Sequence, residues 1–134
     1  MNVIKMNKIF DQFKCNEDLF YTIYDYLRFT KPEKWKDIHS LDDFDYLSKD
    51  EMIELANDAV NWLENDLLPK IDVWDKTKGS PTEWATLYYM TLSYMNEHNW
   101  KVSFYYLKLD ERKFVCELTI LWLRDNIKKI NETT

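Results

Sequence analysis

Ser80-Pro81-Thr82-Glu83-Trp84-Ala85-Thr86-Leu87-Tyr88-Tyr89-Met90-Thr91-Leu92-Ser93-Tyr94-Met95 follows directly on Gly79, the only glycine of the chain. Ser80 offers an oxygen to first-turn amides that lack an intrahelical partner, Pro81 sits where a missing N–H costs nothing, and Glu83 completes a capping box. The stretch predicts a helix from Ser80 to about Met95. Trp84, Leu87, Tyr88, Thr91, Leu92 and Met95 share one side at helical spacing, while Tyr89, Met90 and Tyr94 carry apolar surface further round the cylinder. A helix apolar on so much of its girth packs against neighbours on two or three sides. It is read as the central helix of the fold.

Outward from there, composition sets the class. A chain of 134 residues suits one domain, residues 1–134, and its apolar fraction of 46% supplies a core despite 31% charged residues. One glycine and three prolines leave little for tight hairpins, and neither Asn-Gly nor Asp-Gly occurs. The expectation is an all-α, single-domain bundle of about six helices. Cys15 and Cys116 form no Cys-x-x-Cys pair, Lys5 and Lys8 interrupt the apolar start, and no uncharged run is long enough to span a membrane, so the chain reads as cytoplasmic.

Val3, Met6, Ile9, Phe10 and Phe13 mark a first short helix. Asn16 caps a second carrying Leu19, Phe20, Ile23, Tyr24 and Leu27, which stops at Phe29-Thr30. Glu33 to Ile38 suits a turn or two of helix, and His39 to Leu47 a connector tied down by Leu41, Phe44 and Leu47. Ser48-Lys49-Asp50-Glu51 is a second capping box, with Leu47 and Met52 as its hydrophobic staple. That helix should turn Met52, Leu55, Ala56, Ala59, Val60, Leu63 and Leu67 inward and end about Leu68, because Pro69 disfavours helix before it. Ile71 to Asp75 alternates like a short extended piece or a loop. Trp100 to Leu107 fits helix or strand, with helix favoured because a lone strand leaves its backbone unpaired. Asp110 caps a final helix with Phe114, Val115, Leu118, Leu121 or Trp122, and Ile127 inward, and Asn131 to Thr134 frayed.

Several chemistries are argued against. A phosphate-cradling loop needs several glycines. Zinc needs clustered ligands, whereas Cys15, His39, His98 and Cys116 are scattered, and Asp43-Phe44-Asp45 has neither the length nor the glycine of a calcium loop. No cofactor or metal is expected. Cys116 sits among Phe114, Val115 and Leu118 as a small hydrophobe, and His39 and His98 read as connector and turn residues. The acidic side chains lie in solvated stretches where nothing separates their pKa values, so no catalytic residue is assigned and the chain is not read as an enzyme.

One asymmetry points to function. From Glu33 to Asp75 thirteen acidic residues face four lysines, a balance of −9, while the rest of the chain carries +3, giving the net −6. Asp42, Asp43, Asp45, Asp50, Glu51, Glu54 and Asp58 would steer a basic protein partner, with Phe44, Tyr46 and Trp74 as apolar anchors. The same charge repels nucleic acid, and the small basic group Arg112, Lys113, Lys128 and Lys129 is interrupted by Glu111, Glu117 and Asp125. Trp35 and Trp74 are the tryptophans expected outside the core. The resulting expectation is an acidic inhibitor that occludes a basic nucleic-acid-acting effector, such as an immunity protein against a bacterial nuclease toxin, acting as a monomer or bound to its target. A phage anti-defence protein imitating DNA charge, a helical enzyme with an unrecognised site, and a structural or regulatory homo-oligomer are the alternatives.

Overall fold

The structure, a computed structural model, describes residues 17–71, 89–90 and 109–132. Among them the chain is helical apart from short connections, no strand occurs, and no helix is long and apolar enough to cross a membrane. Three α-helices frame the core: α1 (Glu17–Thr30), α2 (Lys49–Asn61) and α3 (Leu109–Glu132). Short 3-10 turns at Glu33–Trp35 and Leu41–Tyr46 join α1 to α2.

α1 follows the expected periodicity, with Leu19, Phe20, Ile23 and Leu27 buried. It stops at Thr30, whose hydroxyl donates to the Tyr26 carbonyl at 2.5 Å, and the next residue, Lys31, takes φ 49° and donates its N–H to the Leu27 carbonyl at 2.9 Å. This left-handed end is usually occupied by glycine or asparagine, and Pro32 behind it prevents the helix from continuing.

α2 starts as its capping box requires. The Glu51 N–H donates to Ser48 Oγ at 3.1 Å and the Ser48 N–H donates back to the Glu51 carboxylate at 3.0 Å. Met52, Leu55, Ala56, Ala59, Val60, Leu63 and Leu67 are all buried, and Leu47 packs against that core as the staple predicts. The end differs from the sequence expectation. Helical backbone continues past Leu68, first as a π-helical turn (Trp62–Leu67) and then as a 3-10 turn (Leu68–Lys70), so that Ile71 is still buried. In an unbroken α-helix the Pro69 ring would press on the Asn65 carbonyl. The wider turn, in which the Leu68 N–H donates to the Leu63 carbonyl, removes that conflict without ending the helix.

α3 lies mainly along α2. Its buried line is Val115, Cys116, Thr119, Ile120, Trp122, Leu123, Asn126 and Ile130. Trp122 rather than Leu121 is the inward member of that pair, and Phe114 is a correction: it is exposed, as Leu121 is, because both fall on the outer side of the helix. The helix already includes Leu109 and Asp110 and runs through Glu132, longer at both ends than the sequence suggested. Buried side chains of all three helices, with Trp35, Phe44 and Met90, form one apolar cluster.

Of the central helix expected from Ser80 to about Met95, Tyr89 and Met90 are described. Both are helical, and Met90 is fully buried. The remainder of that helix, the first helix at Val3 to Phe13, and Trp100 to Leu107 lie outside the described residues.

Candidate protein-docking surface

The 3-10 turn at Leu41–Tyr46 brings every third residue onto one edge. Leu41, Phe44 and Leu47 occupy the inner edge, with Phe44 fully buried and its ring 5.7 Å from that of Phe20. Phe44 is therefore a core residue, which corrects its expected role as a surface anchor: the periodicity that ties the connector down consumes it. Asp42 and Asp45 share a different edge, and Tyr46 beside them is 69% exposed.

Asp43 is held by its own backbone surroundings. Its Oδ2 accepts the His39 N–H at 2.7 Å and the Ser40 N–H at 3.1 Å, which caps the turn. Glu51 caps α2 in the same way, and the Ser48 N–H it accepts holds its carboxyl below the usual range.

On α2, Asp50, Glu51, Glu54 and Asp58 fall within about 100° of the circumference, opposite the buried line. This acidic stripe is not left bare. Lys34 reaches it from the turn at Glu33–Trp35, with Nζ 2.6 Å from Glu54 and 3.6 Å from Asp58, and the hydrogen bond to Glu54 raises the lysine's affinity for its proton. The adjoining Trp35 packs into the core and donates its indole N–H to Asp58 at 2.7 Å. Trp35 is thus a further correction. It was expected outside the core, but the Asp58 acceptor satisfies its one polar atom and lets the ring be buried.

The sequence-selected residues divide accordingly. Phe44 is core; Asp43, Glu51 and Asp58 have structural hydrogen bonds; Glu54 is paired with Lys34. Asp42 and Asp50 are exposed and have no ionic partner among the described residues, and Asp45 and Tyr46 stand between them in the chain. Trp74 lies outside the described residues. The sequence reading counted Lys34 only as a charge; its position next to a tryptophan, with Glu54 and Asp58 one helical turn apart, was the available signal.

Among the described residues no group of three or more His, Cys, Asp or Glu side chains is placed to hold a metal ion. Cys116 is buried, and burial together with the nearby Glu117 charge pushes its thiol up to about 12. It is no nucleophile in this state. Compared with known proteins, the chain matches no family model, no curated protein and no solved structure.

Proposed function

We propose that the protein binds and occludes a basic partner through the acidic segment around Asp42, Asp45, Tyr46 and Asp50. The observation that carries the reading is an exposed tyrosine among carboxylates on a rigid capped turn: Tyr46 is 69% exposed, Asp42 and Asp50 face solvent, and Asp43 fixes the backbone between them. An aromatic body with a polar tip, ringed by charge, is the composition of an interface centre with a steering rim. The partner is a protein whose cationic cleft normally holds phosphates, a nuclease toxin or another nucleic-acid-acting enzyme, and the carboxylates take the place of those phosphates. Paired charges such as Glu54 contribute less than Asp42 and Asp50, because Lys34 already neutralises them.

The test is neutralisation of the nuclease encoded by an adjoining gene, with association rates measured at low and high salt. Steered association slows by roughly tenfold or more as the Debye length shrinks from about 30 Å to about 8 Å. A triple variant Asp42→Asn, Asp45→Asn, Asp50→Asn associates more slowly and with a flatter salt dependence. An unchanged rate and slope in that variant would refute this surface as the docking site.

A second reading, self-association, has its own observation: Phe114 and Leu121 are 53% and 58% exposed two helical turns apart on α3. Light scattering with the variant Phe114→Glu, Leu121→Glu distinguishes it, since a dimer built on this strip dissociates in that variant.

A further inference from the structure

Where α1 hands over to the turn at Glu33–Trp35, the surface sinks into a hollow of about 300 Å³. Its apolar walls are formed by Tyr24, Leu27, Trp35 and Ile38. Tyr24 closes one side by donating its hydroxyl to the His39 carbonyl at 3.2 Å, which ties α1 to the connector. The rim is cationic: Arg28, Lys31 and Lys36 line it together with His39. No acidic residue lines the hollow.

The rim is also built with unequal parts. The Arg28 guanidinium is clamped, 3.1 Å from Asp25 and stacked over the rings of Phe29 at 4.6 Å and Tyr89 at 5.3 Å, so it is fixed in place before any ligand arrives. A guanidinium has five N–H donors, and the one bond to Asp25 leaves others available. Lys36 pairs loosely with the exposed Glu33 at 3.3 Å. Lys31 has no ionic partner among the described residues, yet it occupies the left-handed position at φ 49° where glycine would cost nothing.

We propose that this hollow binds a small aromatic anion, its ring against Trp35 and Tyr24 and its carboxylate or phosphate held by Lys31, Lys36 and Arg28. Complementarity of shape and charge selects the class: the apolar walls exclude a bare inorganic ion as the preferred ligand, and the cationic rim rejects a neutral ring. The proposal does not rest on the acidic docking surface, which the hollow adjoins through His39, the donor of an N–H to Asp43.

The experiment titrates the full chain with benzoate, phenyl phosphate, inorganic phosphate and neutral benzamide, following backbone amide shifts by NMR. Phenyl phosphate and benzoate should saturate with a Kd on the order of 1 mM, the range open to ligands of this size, and shift amides of residues 24–39. Benzamide, which lacks the charge-assisted contacts, and inorganic phosphate, which lacks the ring, should each bind at least about tenfold more weakly. Two variants separate function from folding. Lys31→Gln, Lys36→Gln keeps the fold and weakens phenyl phosphate by roughly tenfold or more. Lys31→Gly relieves the backbone, raises the urea midpoint, and weakens binding all the same. No saturable shift at 24–39, equal binding of benzamide, or binding unchanged in both lysine variants would overturn the assignment.

Discussion

The indole N–H of Trp35 reaches the Asp58 carboxylate over 2.7 Å, joining the connector to α2 across twenty-three positions of sequence. It is the bond that allows a tryptophan to enter the core at the edge of a charged stripe. Asp58→Ala leaves the indole N–H without its acceptor and should cost about 1–3 kcal/mol in urea unfolding, whereas Asp58→Asn retains an oxygen and should cost clearly less. Equal losses in the two variants would remove the hydrogen bond from this account.

Thr22 offers the opposite case. Its hydroxyl is fully buried and has no hydrogen-bond partner among the described residues. Thr22→Val keeps the shape and discards an unsatisfied polar atom, so it should stabilise the fold by about 1 kcal/mol, read as a higher urea midpoint with unchanged slope.

Asp25 makes stability fall as pH rises. Burial outweighs the opposing Arg28 charge and raises its pKa from 3.8 to about 6. Between those values the folded state binds more protons than the unfolded one, so this group's contribution is fully present below pH about 4 and lost as pH climbs through about 6. The loss is at most about 3 kcal/mol, and Asp25→Asn should abolish it. Glu51, whose carboxyl is held low by its cap, works with the opposite sign at more acidic pH. The measurement is the difference between wild type and Asp25→Asn, followed from pH about 4 to about 7.

Cys116 should be silent to thiol reagents in the folded protein. In a Cys15→Ser background, labelling at pH about 8 is expected to be negligible without denaturant and to rise in step with unfolding, because the buried thiol is pushed up to about 12. Rapid labelling of native protein would show that α3 opens locally.

Much of this could be read from residue patterns. The capping box at Ser48 and the inward row from Met52 to Leu67 follow from local periodicity, and each residue of that row is buried. What periodicity could not supply was the meeting of distant elements. Pro69 announces a helix end, but the chain can change hydrogen-bonding register and continue. The acidic count treated each carboxylate alike, whereas backbone amides occupy Asp43 and Glu51, and Lys34 with Trp35 occupies Glu54 and Asp58. The aromatic hollow was illegible because Arg28 and Lys36 become neighbours only when Lys31 reverses the chain at the end of α1.

The seam between α2 and α3 has a consequence for how the chain is made. Arg124 meets Glu64, in the π-helical turn that continues α2, across sixty positions, and Lys49 donates to the Asn131 carbonyl across eighty-two. During synthesis α2 emerges well before α3, the helix that packs along it, so its apolar face waits for that later partner. A nascent chain stalled before α3 would therefore be sticky and a client for chaperones, and emergence of α3 is the event that lets the core close.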